Sequence, residues 1–388
     1  MTHTDARATR TPQAAPTGRR LPLLDVLRGA AILGTLMTNV WIFTGPGAEW
    51  GAQQAGTHTG VVEGTFSVLA NGKFLSLLTI LFGVGLAIQY ASAERRGQPW
   101  PGRYRWRALF LFGEGTVHFV LVFAWDVLMG YAVTALLVAW LLTRSERAQR
   151  RVMWWAAGLH LTLMGLLTVA IAGTGDGSDG GGTVSREVVD LYAHGSYLDQ
   201  ISFRLENAIA LRMEPVLTFF LLVFLFLLGV RLFRAGAFGA DEQARRIRSR
   251  LLAWGLGLGL PLNLAAVLAG PDLFLLARYG TAPLLALGYI GLIGAVVDRV
   301  RRPGPLLTGL TSVGRTALSG YVLQNVLCVL VSYGIGLGLA ERLDGARPWW
   351  VVGLWVTVCA VLMVGSTLWL RRFSAGPLES VQKWALRH

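Results

Sequence analysis

Apolar runs of roughly 18 to 25 residues recur from one end of this 388-residue chain to the other, and about 20 helical residues cross a hydrocarbon core of about 30 Å. Inside a bilayer every backbone N–H and C=O must find a partner within the protein, which leaves helices as the way for such runs to span. Composition agrees. The chain is 53% hydrophobic and 15% charged, with a mean hydropathy of +0.51, outside the range of ordinary soluble domains. The expectation is an all-α, polytopic integral membrane bundle of about ten transmembrane helices, with nine to eleven as the range. The spans are expected at 24–44, 74–93, 106–124, 126–143, 152–172, 215–233, 251–269, 273–297, 317–338 and 349–370.

A net charge of +13 raises a nucleic-acid partner, but the distribution argues against one. Most Lys and Arg residues fall in residues 1–20, in the loops at 94–107, 144–151, 231–250 and 299–315, and after residue 370. That alternation follows membrane topology and puts both termini in the cytoplasm, as an even number of spans requires. The division expected is a disordered cytoplasmic tail, 1–20, and a single transmembrane domain, 21–388, with outer loops at 45–73 and 173–214. The second loop opens with GTGDGSDGGG, a flexible linker that lacks the strand and lysine of a phosphate loop. An amphipathic or re-entrant segment is expected to follow it. Cys328 and Cys359 lie in apolar spans without metal-ligand spacing, so both read as small buried hydrophobes and no metal is expected.

Against this background, ionisable residues inside apolar runs carry the functional signal, because a charge at mid-bilayer is costly. Glu114, His118 and Asp126 lie within ALFLFGEGTVHFVLVFAWDVLMGYAVTALLVAW. Glu114 and His118 share a helix face at i, i+4. His118 lies roughly 16 Å into its helix, Glu114 about 6 Å closer to the cytoplasm, and Asp126 at or beyond the outer end. Such a set suits a general base with an orienting carboxylate, or a proton relay. On the first span Thr35 and Asn39 each fall within about 20° of Arg28, making a polar stripe that should face the interior. Arg28 could hold phosphate or carboxylate oxygens and Asn39 could donate to an oxyanion; pairing of Arg28 with Asp25, or a helix-to-helix bond for Asn39, competes with those roles. Lys73 and Ser76 are placed at the outer end of the second span, Arg315 at a cytoplasmic helix start, and Tyr321, Gln324 and Asn325 inside the ninth. His160 stands alone in the fifth span, and His58 lies in the first outer loop.

Four ordered segments carry a family resemblance: LDVLRGAAILGTLMTN, NGKFLSLLTILFGVGLA, GEGTVHFVLVFAWDVLMGYAV, and the C-terminal GRTALSGYVLQNVL with RRFSAGPLE. Together they resemble the YeiB-like bacterial membrane family, which is similar to a transmembrane acyltransferase superfamily that includes the lysosomal enzyme acetylating heparan glucosamine. The resemblance implies a bacterial cytoplasmic (inner) membrane enzyme that takes an acetyl or other short acyl group from cytoplasmic acetyl-CoA, or another acyl-CoA, to an acceptor hydroxyl or amine at or across the membrane. The family pattern falls on Asp25, Arg28, Asn39, Lys73, Phe74, Ser76, Gly83, Gly85, His118, Asp126, Tyr131, Gly314, Arg315, Tyr321 and Gln324. It implies His118 as base, Asp126 or Glu114 as its orienting acid and Asn39 at the oxyanion. Arg28 and Arg315 fall to the acyl-CoA phosphates, and Tyr321, Gln324, Lys73 and Ser76 complete that site. The heparan-type enzymes carry their histidine in an aromatic-rich motif of the first outer loop, where this chain has only His58, so His58 ranks second. The other expected partners are the bilayer and an acceptor of unspecified chemistry; a homodimer stays open. Two further readings stand beside transfer: a proton-coupled small-molecule exporter using Glu114, His118 and Asp126 as relay, and a non-catalytic membrane scaffold.

Overall fold

The computed structural model of the chain describes residues 21–45, 47–51, 60–173 and 184–386. Residues 1–20, expected as a tail, and His58 lie outside the described residues. In chain order the α-helices are α1 (Pro22–Thr44), α2 (Ala48–Gly51), α3 (Val61–Ala70), α4 (Lys73–Arg95), α5 (Tyr104–Leu121), α6 (Leu128–Leu141), α7 (Glu146–Gly173), α8 (Arg186–His194), α9 (Tyr197–Glu206), α10 (Ala208–Leu211), α11 (Met213–Leu217), α12 (Phe219–Arg234), α13 (Glu242–Trp254), α14 (Leu260–Leu268), α15 (Ala282–Arg299), α16 (Pro305–Arg315), α17 (Ala317–Ser332), α18 (Leu339–Arg342), α19 (Trp349–Trp369) and α20 (Pro377–Ala385). Among the described residues there is no strand. Among the described residues six segments are long and apolar enough to cross a membrane: Pro22–Thr44, Val61–Arg95, Glu146–Gly173, Glu242–Leu268, Leu276–Arg299 and Trp349–Trp369. Leu128–Leu141 and Ala317–Ser332 are shorter apolar helices.

Three sequence-based boundaries are corrected. The stretch 45–73, expected as a loop, holds α2 and all of α3, and α3 runs on into α4 through a break at Asn71–Gly72. The 35-residue segment Val61–Arg95 would be roughly 50 Å long if straight, well beyond one bilayer crossing, and the break bends it. The stretch expected as 317–338 stops at Ser332, where α17 gives way to extended backbone at Tyr333. Of the outer stretch 173–214 the described residues 184–214 are mostly helical, α8 and α9 each starting at a serine whose side chain accepts an N–H of the first turn, the ordinary way to satisfy an otherwise unpaired donor.

Helix α1 is central and most of it is buried, while α7, α13–α14 and α19 leave most of their apolar surface uncovered, as lipid-facing helices do. Glycine sets the closest approaches. A Cβ on Gly83 would lie 2.1 Å from the Phe226 carbonyl oxygen, and one on Gly229 2.1 Å from that of Ile80, so α4 and α12 meet backbone to backbone. A Cβ on Gly314 would sit 1.7 Å from the Asp25 carbonyl oxygen, which locks α16 onto the start of α1. Gly314→Ala must push these helices apart and should cost about 3 kcal/mol, the upper part of the overpacking range. Detergent-solubilised unfolding would show it; Gly353, with open space around its missing Cβ, serves as the control, and equal shifts in the two variants would discard the argument.

Candidate functional site

Helix α5 ends at Leu121, and the following non-helical turn folds back into the bundle instead of running out of it. The turn carries Asp126 to within 2.9 Å of His118 Nδ1, with 2% and 0% of the two side chains exposed. This corrects the expected depth of Asp126, which is beside the histidine and not beyond the helix end. Glycine makes the space: a Cβ on Gly115 would lie 2.7 Å from Asp126 Oδ1. The Leu128 N–H donates to Oδ1 at 2.9 Å and the Tyr321 hydroxyl to Oδ2 at 3.4 Å. On the other side of the ring, Asn325 Nδ2 lies 3.2 Å from His118 Nε2. With the Asn325 amide as donor, the network assigns the ring proton to Nδ1, facing the carboxylate. The Nδ1 approach is close but poorly aligned for a hydrogen bond, so the Asp126 contact is chiefly electrostatic.

A cavity of about 850 Å³ lies against this pair, with Thr35, Asn39, Trp125, Val127 and Tyr321 in its wall. Tyr321 is shared: its ring is 5.3 Å from the His118 ring and the residue is also part of the cavity wall. His118, Asp126 and Arg28 are not among the lining residues. Thr35 and Asn39 of the predicted stripe therefore meet the cavity, while Arg28 lies apart, 3.6 Å from Asp25 and beside Gly85 of α4. Below Tyr321 on α17, Gln324 is fully buried and neither side-chain polar atom has a hydrogen-bond partner among the described residues; the same holds for Asn325 Oδ1, Arg315 Nε and both Glu114 oxygens. Buried polar atoms of this kind are a minority in folded proteins, each with a cause such as an ordered water or a ligand. Among the described residues neither Lys73 nor Ser76 hydrogen-bonds to Arg315. Lys73 Nζ donates to the Ser67 carbonyl at 3.0 Å and the Ser76 hydroxyl to that of Gly72 at 2.7 Å, both around the α3–α4 break. Phe74 packs on Gly34 at the middle of α1, so the start of α4 with Lys73 and Ser76 lies level with the middle of that helix. Among the described residues no three of His, Cys, Asp and Glu converge as metal ligands.

Two clusters, one buried and one part-buried, escaped sequence reading. Arg204 donates from Nε and Nη2 to the two Glu49 oxygens, each at 2.9 Å, with both side chains 0% exposed. Tyr192 and Tyr333 donate to the same carboxylate, and the Ala124 N–H reaches it at 3.2 Å. Burial and the adjacent Glu49 charge push the Tyr192 hydroxyl well above its ordinary range, keeping it a donor. Arg204 also donates to the Val120 and Val122 carbonyls. The cluster thus clamps the turn that aims Asp126. The second cluster joins Arg278, Tyr279 and Glu214 at the cavity wall. An arginine inside an apolar run was a visible signal for the second; Glu49, in a polar stretch, offered none.

Residues 232–387 match a family model described as "Protein of unknown function (DUF418)". The chain is also 27% identical over 390 residues to the uncharacterized protein YxaH of Bacillus subtilis (strain 168), covering 95% of this chain and 94% of that protein. It is 28% identical over 384 residues to the uncharacterized protein YeiB of Escherichia coli (strain K12), covering 92% and 93%. These matches support a YeiB-like DUF418 family. Two motifs by which the sequence resembles that family now have physical content. In D-x-L-R-G, Gly29 would meet the Leu310 carbonyl oxygen at 2.0 Å if it bore a Cβ, so the motif is a helix-packing site as well as the bearer of Arg28. In R-R-F-x-x-G-P-L-E, Glu379 accepts the Leu318 N–H at 2.8 Å and the Ser319 hydroxyl at 2.6 Å. It caps the helix that carries Tyr321, Gln324 and Asn325, where a carboxylate is favoured by the helix dipole.

Proposed function

We propose that this protein is a membrane-embedded acyltransferase of the bacterial cytoplasmic membrane. In this reading ten helices cross the bilayer, the start of α1 faces the cytoplasm, and an acetyl or other short acyl group moves from a cytoplasmic acyl-CoA to an acceptor hydroxyl or amine reached through the cavity. The observation that carries it is the Asp126–His118 pair, 2.9 Å apart and buried, set directly behind Tyr321 of a cavity that also presents Asn39. His118 Nε2 is the acceptor atom of the ring, and the acceptor's hydroxyl or amine would take the place of the Asn325 amide there, giving its proton to Nε2 as it attacks the thioester carbonyl. Asp126 then stabilises the imidazolium. Asn39 supplies a donor for the tetrahedral oxyanion, and collapse of that intermediate expels the CoA thiolate, which takes up a proton. Arg28 and Arg315, at the ends of α1 and α16 that Gly314 locks together, are the cations for the phosphates. Gln324 and Asn325 Oδ1, buried without partners among the described residues, mark the route between them as polar.

The direct test is binding and turnover of acetyl-CoA by the purified protein. Saturable binding with slow CoA release is expected, and absence of both would remove the reading.

A second reading, a proton-coupled exporter, draws on Glu114, whose two carboxyl oxygens are buried without a hydrogen-bond partner among the described residues. An unpaired carboxyl of that kind is a natural proton carrier. Proteoliposomes separate the two readings: pH-driven movement of an unaltered solute belongs to the exporter, and consumption of the thioester to the transferase.

A further inference from the structure

Two of the long apolar segments are interrupted against each other. Val61–Arg95 breaks at Asn71–Gly72, and Leu276–Arg299 opens with a π-helical turn, Leu276–Thr281. Gly72 has φ +78°, and a Cβ there would lie 2.2 Å from the Arg278 carbonyl oxygen, so only glycine lets the two breaks meet. The backbone groups loosened by the π-turn are taken by buried side chains: Asn263 Nδ2 donates to the Ala277 carbonyl at 2.8 Å, and His160 Nε2 lies 3.1 Å from that of Tyr279. Both breaks are thus built into the packing, as irregular backbone at membrane depth has to be.

A broken spanning helix brings a half-helix N-terminus, with its partial positive charge, into the bundle interior. Here it is the start of α4, a helix of 23 residues. Lys73, its first residue, is 1% exposed and has no carboxylate within ion-pair distance among the described residues. Arg278 stands across the break. Its guanidinium donates to the Tyr279 hydroxyl at 2.9 Å, to Asn71 Oδ1, and to Glu214 Oε1 at 2.9 Å. The Tyr279 hydroxyl donates to the same Glu214 oxygen at 2.6 Å. Arg278 and the α4 N-terminus thus stand together at the break with Glu214 as the carboxylate paired to Arg278, while Glu63, Asp344 and Arg347 are the other charged residues of the cavity wall. Asn71, Gly72, Glu214, Arg278 and Tyr279 all line the 850 Å³ cavity, and Lys73 stands directly behind Gly72. The neighbouring wall is apolar, formed by Phe66, Leu75, Leu78, Met164, Leu217 and Phe274.

We propose that this part of the cavity binds an amphipathic anion, with its carboxylate or phosphate on Arg278 in the field of Lys73 and the α4 N-terminus and its apolar body along Phe66, Leu75 and Leu78. Glu214 is the internal competitor that holds Arg278 until the ligand arrives. The site goes beyond acyl transfer and does not depend on it, since the anion binds whether or not a group is moved. The anion's source is either a bilayer lipid or a soluble acid.

The full chain, purified in dodecyl maltoside, is titrated separately with dioctanoyl phosphatidylglycerol, dioctanoyl phosphatidylcholine, octanoate and inorganic phosphate, and its unfolding temperature is followed. Saturable stabilisation by phosphatidylglycerol supports the site with a lipid as source, and stabilisation by octanoate supports it with a soluble acid. Phosphatidylcholine and inorganic phosphate should each be weaker by about tenfold or more. Lys73→Gln should weaken the favoured ligand about tenfold. Glu214→Gln removes the competing charge yet keeps an acceptor for Arg278 and Tyr279, so it should bind more tightly by roughly threefold or more. No stabilisation by either anionic amphiphile, equal effects of phosphatidylcholine or of inorganic phosphate, or affinity unchanged or lowered in Glu214→Gln would each overturn the proposal.

Discussion

Arg204→Ala should destabilise the protein by about 3–5 kcal/mol, the cost of stranding one member of a buried ion pair. The expectation follows from geometry. Glu49 receives two guanidinium hydrogen bonds and two tyrosine hydroxyls, and neither charged side chain has exposed surface. Removing the cation leaves a carboxylate that water cannot reach. The loss extends to the turn, because Arg204 also holds the Val120 and Val122 carbonyls. Pairing the change with Glu49→Leu removes both charges and should recover much of the stability, since an apolar replacement of a buried pair is often close to neutral. Unfolding in mixed detergent micelles, run as a double-mutant cycle, measures the coupling. A single-variant loss under about 1 kcal/mol would mean the pair behaves like a surface salt bridge.

His118→Ala should lower acyl transfer by about 10²–10⁴-fold, the span that a positioned general base contributes. Acetyl-CoA binding should stay near that of the parent, because Arg28 and Arg315, the residues assigned to the phosphates, are not involved. Asp126→Asn tests the same unit from the other side. The isosteric amide still accepts the Leu128 N–H but no longer offsets an imidazolium, so the rate should fall with the fold intact. Single-turnover release of CoA, scored beside binding, separates loss of chemistry from loss of structure. An unchanged rate in His118→Ala would remove the histidine from the reaction and return the pair to a packing role.

The helical membrane class was readable from run length alone, because a bilayer restricts the alternatives so severely. His118 and Asp126 were readable as costly groups, yet their contact was not: a polar residue at a helix end can continue outward or fold inward, and only Gly115 and the clamp on the turn decide it. The α3–α4 break shows the same ambiguity. Asn71–Gly72 is a turn signal, and the apolar run before it, Val61–Ala70, is too short to cross a bilayer by itself, so a mid-depth interruption reads like the boundary of a span. Arg28, Thr35 and Asn39 were placed on one face by helical period, but period says nothing about how far a cavity reaches, and it meets only the last two. Glu49 shows the opposite limit, since nothing about an acid beside a tryptophan in a polar stretch announces an arginine 155 residues further on.

The cap that Glu379 places on α17 also fixes an order of events during synthesis. Leu318 and Ser319 leave the ribosome some 60 residues before the carboxylate that receives their N–H groups, an interval of several seconds at about 5–20 residues per second. Through that interval the first donors of the helix bearing Tyr321 and Asn325 lack the carboxylate that receives them in the folded chain. The start of that helix is therefore completed only by a segment made at the far end of the chain, so a nascent chain halted before Gly376 would lack the cap.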